Sequence, residues 1–268
     1  MPSLPIFNNH PAVVGMVHLK PLPGSPSWGG SIDEIVRSAL RDAHSLEGGG
    51  ADGIMVENFW DIPFTRGRVE AVTVASMTRC VQEIQREINI PIGVNVLRND
   101  GPAALSIAQV TGARFIRVNV LSSVMVTDQG IIEGCAYELS RLRARLQTDV
   151  VVLADIMVKH AYPLGAMDIV SVARDTALRS GADGLIVSGS ETGAPLEMDD
   201  LVKVRAALPD FPLASGSGVT IENVSQFLPL LDLLVVGTFF KKDGDIRNPV
   251  DAQRVTRMVK KVRNAAKE

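Results

Sequence analysis

The chain has 268 residues, a formal net charge of −3, 46% apolar residues and only 4% aromatic ones. That charge offers no basic groove, which excludes nucleic acid as the expected partner, and the apolar runs around Val150–Val158 and Phe227–Phe240 are broken by Asp155 and Asp232, which argues against membrane insertion. With no signal-peptide pattern at the N-terminus and two cysteines, Cys80 and Cys135, outside any Cys-x-x-Cys spacing, a cytoplasmic protein with reduced thiols is expected.

Short β-branched runs recur along the chain, each followed by a stretch of helical periodicity. Strands are predicted at Val13–His18, Gly53–Glu57, Ile92–Val96, Phe115–Asn119, Val150–Asp155, Gly184–Ser188, Leu213–Ser215 and Leu233–Gly237. Helical patterns follow near Ile32–Glu47, Glu70–Ile88, Pro102–Thr111, Glu133–Gln147, Asp168–Ser180, Asp199–Ala207, Ile221–Leu228 and Asp251–Arg263. Eight such units predict an α/β fold closed as a (β/α)₈ TIM barrel of eight parallel strands, one domain spanning residues 1–268. Basic residues from Arg254 to Lys267 read as the solvated face of the last helix.

A repeat supports closure. Gly50-Ala51-Asp52-Gly53 returns as Gly181-Ala182-Asp183-Gly184, with a weaker copy at Gly112-Ala113-Arg114-Phe115. Each leads into an even-numbered strand, at the bottom of the barrel. Its glycine suits the left-handed position after a helix end, so the repeat marks a structural turn. At the opposite end the connections Leu19–Gly30, Asn58–Val69 and Val120–Ile132 are long. The second carries Phe59, Trp60 and Phe64, which suits closure over a ligand or packing in a homo-oligomer.

In a barrel the strand ends share one site. Reading them in order gives His18, Glu57 with Asn58, Asn95, Arg117 with Asn119, Asp155 and Ser188. A buried carboxylate is costly unless paired or liganded. Two readings of this set stand side by side. In one, Glu57, Asp155 and His18 perform acid–base catalysis while Asn58, Asn95, Arg117, Asn119, Lys159 and Ser188 bind substrate. In the other, an internal ion-pair network centred on Arg117 closes the barrel top. Gly216, Ser217 and Gly218 after the seventh strand, with Gly237 and Thr238 after the eighth, form the expected phosphate site. Their amides can approach an anion, Thr220 can cap the next helix, and that helix contributes its dipole. Ser188-Gly189-Ser190-Glu191-Thr192-Gly193 is a further polar loop that extends the site or simply turns.

Other chemistries lack their residues. No lysine ends a strand for a Schiff base, three histidines for zinc are not at hand, and no Gly-x-Ser-x-Gly elbow occurs. No cofactor is expected, with a divalent cation on Glu57 and Asp155 as the alternative.

The stretch Val14-Gly15-Met16-Val17-His18-Leu19-Lys20-Pro21-Leu22-Pro23-Gly24 resembles the opening signature of the BtpA family. So do Asp52-Gly53-Ile54-Met55-Val56-Glu57-Asn58, the segment from Val187-Ser188-Gly189 to Gly193, and Ser217-Gly218-Val219-Thr220 to Asn223. The resemblance covers nearly the whole chain. It implies a barrel similar to phosphate-binding barrels of the ribulose-phosphate type, and hence a phosphorylated small-molecule ligand. It carries two functional expectations. One is an enzyme acting on a phosphorylated sugar or nucleotide-like metabolite; the other is a noncatalytic accessory factor in biogenesis of a membrane complex such as photosystem I.

Overall fold

The structure, a computed structural model, describes residues 4–8, 11–158, 160–189 and 197–265. In chain order its elements are β1 (Ala12–His18), α1 (Ile32–Gly48), β2 (Gly53–Glu57), α2 (Ala71–Glu87), β3 (Ile92–Asn95), α3 (Gly101–Thr111) and β4 (Phe115–Val118). Then come β5 (Val124–Thr127), β6 (Gly130–Glu133), α4 (Ala136–Leu146), β7 (Val151–Ile156), β8 (Ala161–Pro163), α5 (Ile169–Leu178) and β9 (Gly184–Val187). The chain finishes with α6 (Met198–Ala207), β10 (Leu213–Ser215), α7 (Val224–Phe227), β11 (Leu233–Val236) and α8 (Ala252–Ala265).

Eight parallel strands close in the order β1-β11-β10-β9-β7-β4-β3-β2. Alternation along them divides the core in two. Ala12, Val14, Met16, Met55, Phe115, Val151, Leu153, Ile186, Ala214, Leu233 and Val235 point into the barrel and form one buried cluster. Phe115 fills the space left by Gly93, where a Cβ would lie 2.1 Å from its ring. Phe7, ahead of the first strand, packs edge-on against Phe115 at 5.6 Å and extends this cluster. The intervening residues face the helices. In α1, Ile35, Val36, Ala39, Ala43 and Leu46 recur at helical spacing as a buried stripe, while the Ser31 side chain caps the start by accepting from the Glu34 amide. This is the ordinary logic of an amphipathic helix with a capped N-terminus.

The repeated Gly-Ala-Asp turn lies beneath the barrel as expected. Gly50, Gly112 and Gly181 all adopt positive φ. The two aspartates act alike. Asp52 accepts from the Val13 amide and Asp183 from the Val152 amide, each tying an even strand to its predecessor. Asp232 does the same for Leu213 without the Gly-Ala prefix. Arg114 replaces the aspartate in the weaker copy.

Two expectations are corrected. Residues 120–132 are not simply a loop. β5 and β6 form a hairpin around Asp128–Gln129, with Gly130 at φ 107°, and β8 joins them as a three-stranded antiparallel sheet. Met125 and Ile132 are buried with Val120 and Val158 in a small core of their own. The largely β-branched Val-Met-Val-Thr run and the turn residues carried that signal. The helix predicted at Ile221–Leu228 is reduced to the four residues of α7, because Asn223 accepts from the Thr220 amide and donates back to the Gly218 carbonyl. Thr220 is therefore in a turn and caps nothing. A helix one turn long adds no appreciable dipole.

Candidate active site

The inward alternation that builds the barrel core continues into a polar ring at its C-terminal mouth. His18 follows Met16, Glu57 follows Met55, Arg117 follows Phe115 and Asp155 follows Leu153. Backbone register aligns the first of these: His18 is opposite Glu57, Glu57 opposite Asn95, and Asn95 opposite Arg117. Four polar side chains thus cross four adjacent strands in one row.

A cavity of about 210 Å³ opens above this row. Its border includes His18, Glu57 and Arg117 together with Gly216, Ser217, Gly218, Gly237 and Thr238. The residues predicted for acid–base chemistry and those predicted for phosphate therefore converge on one space, with Asp155 the exception.

Glu57 is 6% exposed. One carboxylate oxygen accepts from Asn95 Nδ2, and the other is 3.8 Å from His18 Nε2. The His18 ring is stacked on Phe59 with centroids 4.5 Å apart. Phe59 borders the cavity, so this aromatic residue of the second loop belongs to the site.

Asp155 does not face Glu57 across the cavity. Arg117 donates to both of its oxygens, from Nε at 2.8 Å and from Nη2 at 2.7 Å. Asn119 Nδ2 and Ser188 Oγ donate to the same carboxylate at 3.1 and 3.0 Å. Four hydrogen bonds to it leave little capacity for a substrate. Burial works against the charge of Arg117, but the Asp155 carboxylate and its hydrogen bonds hold the guanidinium above its ordinary pKa. The expected pair of facing carboxylates is thus replaced by a sealed Arg117–Asp155 unit, with Glu57 as the carboxylate bordering the cavity. The same saturation removes Asp155 from a divalent-cation site shared with Glu57. Among the described residues no group of three or more His, Cys, Asp or Glu side chains is arranged to hold a metal ion.

Asn58 also departs from expectation. It is one position out of phase with Glu57 and so turns outward, where it donates to Asp61 and accepts from the Leu97 amide. Burial raises the pKa of Asp61, although the Leu22 amide and Asn58 favour its charged form. Asn58 therefore organises the second and third loops outside the barrel mouth. Asn95 and Asn119 lie in the inner polar layer, and neither side-chain oxygen has a hydrogen-bond partner among the described residues. Lys159 and the segment Ser190–Gly193 lie outside the described residues.

The two glycine turns differ in what they require. A Cβ on Gly216 would lie 2.2 Å from Ser188 Oγ and 3.0 Å from Arg117 Nη2, so only glycine lets this turn approach the polar layer. Gly218 adopts φ 71°. Gly189 donates its amide to Ser217 Oγ, joining the sixth-strand loop to this turn.

Arg254 also borders the cavity, a position that the strand-end pattern does not indicate. It starts the last helix, donates through Nε to the Phe239 carbonyl and places its guanidinium 4.5 Å from the Phe239 ring. The helix is not simply a solvated basic face: Arg263 binds Asp52 and Lys261 binds the Ile221 carbonyl. No charge pattern marks Arg254 in the sequence. Its position follows from the loop at 241–250, which a buried Lys241–Asp42 pair at 2.6 Å and the Val250 amide on Asp42 pin beside the mouth.

Fold and cavity together define a closed (β/α)₈ barrel whose polar mouth combines one carboxylate, two arginines and two glycine turns. The chain belongs to the BtpA family, which matches residues 9–264. It is 44% identical over 253 residues to the photosystem I biogenesis protein BtpA of a Synechocystis strain, covering 94% of this chain and 88% of that protein. It is 34% identical over 260 residues to the putative sgc region protein SgcQ of Escherichia coli, with 96% of each covered. Among solved structures, phosphoribosyl anthranilate isomerase of Thermus thermophilus superposes with a TM-score of 0.58 at 13% identity, covering 94% of this chain and 98% of that one. That likeness concerns the fold alone.

Proposed function

We propose that this protein is an enzyme acting on a phosphorylated sugar or nucleotide-like small molecule by acid–base chemistry at the barrel mouth. One observation carries the reading: a single cavity is bordered both by the Glu57–His18 pair and by the two glycine turns with Arg254. In this reading the amides of Gly216–Gly218 and the hydroxyls of Ser217 and Thr238 surround a phosphate, and Arg254 supplies the charge. Charge-assisted hydrogen bonds of this kind are the strong ones. Glu57 moves the proton, with His18 beside it and Asn95 fixing its orientation. Arg117, held by Asp155, faces negative charge that develops during reaction.

The name of the Synechocystis relative favours a second reading, an accessory factor for assembly of a membrane complex. No described helix is long and apolar enough to cross a membrane. An assembly role alone does not call for a buried carboxylate on the border of a cavity.

The test is thermal unfolding of the protein with inorganic phosphate and a panel of phosphorylated metabolites. A ligand present at about a hundred times its Kd adds roughly 2.7 kcal/mol. For the metabolite that is turned over, Glu57→Gln is expected to abolish turnover and preserve binding. No stabilisation by any phosphorylated compound, at millimolar concentrations, would leave the accessory reading.

A further inference from the structure

The cavity has two chemically different walls. Around the glycine turns the groups are donors: backbone amides, hydroxyls and the Arg254 guanidinium. The same border also carries apolar side chains. Met16 and Val219 are buried there, whereas Phe59, Phe239 and Ile246 are half-buried and keep apolar surface toward the opening. Apolar surface left on a cavity wall is stabilised when a ligand covers it.

Several polar groups on this border are already partly engaged. His18 is stacked on Phe59, and Glu57 already accepts from Asn95. Arg117 commits Nε and Nη2 to Asp155. A polyhydroxylated chain bound here would bury hydroxyls against Phe59 and Ile246 without partners. Each such loss weakens binding, because a buried polar group left unpaired keeps its desolvation cost. A flat unsaturated ring loses nothing in the same place and gains contact with Phe59. The volume of about 210 Å³ is also small beside the usual ~300–1,000 Å³ of ligand sites, which favours one ring over a dinucleotide or a carrier thioester.

We infer that the ligand body presents a planar unsaturated ring to the Phe59 wall, so that the substrate is a phosphate monoester of an aromatic or heteroaromatic compound and not of an open polyol. This rests on the phosphate reading above and narrows it. In the bound state the phosphate lies at the Gly216–Gly218 turn and the ring lies against Phe59. The position to be protonated or deprotonated is then on the ring or its first substituent, within reach of Glu57.

The experiment compares dissociation constants by calorimetry for inorganic phosphate, ribose 5-phosphate, phenyl phosphate and uridine 5′-monophosphate on the full chain. The expected result is that at least one of the two ring-bearing esters binds about tenfold or more tighter than ribose 5-phosphate. Phe59→Ala removes that margin and leaves inorganic phosphate affinity within about twofold. Phe59→Leu, which keeps the apolar volume but not the flat face, is the second variant should the alanine protein fold poorly. Its expected margin is intermediate. Ribose 5-phosphate binding as tightly as both ring esters overturns the inference while the phosphate reading stands. A margin that survives in both Phe59 variants also overturns it. Failure of all four compounds, inorganic phosphate included, overturns the phosphate reading and this inference with it.

Discussion

Arg117 holds Asp155 by a two-pronged grip, Nε on one carboxylate oxygen at 2.8 Å and Nη2 on the other at 2.7 Å, in a layer where both side chains are almost wholly buried. Burying two charges is expensive, and the pair recovers that cost only through its geometry and the further donors Asn119 and Ser188. Removing one partner is therefore far worse than removing both. Asp155→Asn leaves the guanidinium buried without its counter-charge, and a loss of about 3–5 kcal/mol is expected in urea unfolding. The double variant Arg117→Met with Asp155→Leu should recover at least half of that loss. Equal losses for the single and double variants would show that the pair does not act as a unit.

The two cysteines predict an alkaline limb of stability. Burial pushes the Cys80 thiol up to about 12 and the Cys135 thiol up to about 11. A group whose pKa is higher in the folded state contributes stability that is intact below the unfolded value and lost as pH rises through the folded one. For a thiol the loss begins near pH 9 and extends to about 11 for Cys135 and about 12 for Cys80. Urea midpoints should fall across that interval, and the Cys80→Ala, Cys135→Ala protein should fall less steeply over it. Native thiols should also resist alkylation at pH 8, because the thiolate is the reactive form. Rapid labelling of either at that pH, without unfolding, would contradict the burial.

Most of the barrel was legible because two periodicities do not compete in this sequence. β-branched runs of four to six residues alternate with longer helical stretches, and the repeated Gly-Ala-Asp marks where helices stop. The candidate site was legible for the same reason, since strand-end residues of like parity must point inward. Asn58 shows the limit: it is adjacent to Glu57 and therefore on the other face, a fact the alternation already contained. The grip of Arg117 on Asp155 joins adjacent strands and was one of the two readings the strand-end residues allowed, because spacing alone does not say which neighbour an arginine grips. Arg254 was hidden for another reason. Its place at the mouth is set by a buried Lys241–Asp42 contact between residues far apart in sequence. The β5–β6 hairpin had a β-branched signature, but the expectation that a barrel loop follows each strand concealed it.

The bottom of the barrel should govern stability without touching ligand binding. Asp52 accepts from the Val13 amide at 2.7 Å and pairs with Arg263 of α8, fastening the first strand, the second strand and the last helix together. Hydrogen bonds to a charged group contribute roughly 1.5–3 kcal/mol each. Asp52→Ala is expected to cost about 3 kcal/mol in urea unfolding while phosphate affinity at the opposite face stays within twofold. A comparable loss of affinity in a protein that remains folded would show that the two ends are coupled.

Gly216 offers the sharpest test of how the glycine turn meets the polar layer. A methyl group there would begin 2.2 Å from Ser188 Oγ, 2.6 Å from Ile186 Cγ2 and 3.0 Å from Arg117 Nη2. None of these can retreat freely: Ser188 donates to Asp155, Ile186 is fully buried, and Arg117 is held at both prongs. The turn itself must move outward, which shifts its amides relative to Gly237 and Thr238. Gly216→Ala is therefore expected to cost roughly 1–3 kcal/mol as an overpacked site, and to weaken phosphate binding about tenfold or more. Adding Ser188→Ala removes the closest clashing atom and leaves the Ile186 contact, so the double variant should regain part of the affinity. Calorimetric titration of inorganic phosphate into the single and double variants reads this directly. Wild-type affinity in Gly216→Ala would mean that the anion does not depend on the position of this turn. Weak binding that Ser188→Ala fails to improve would instead assign the obstruction to Ile186, leaving Ser188 no part in setting the turn.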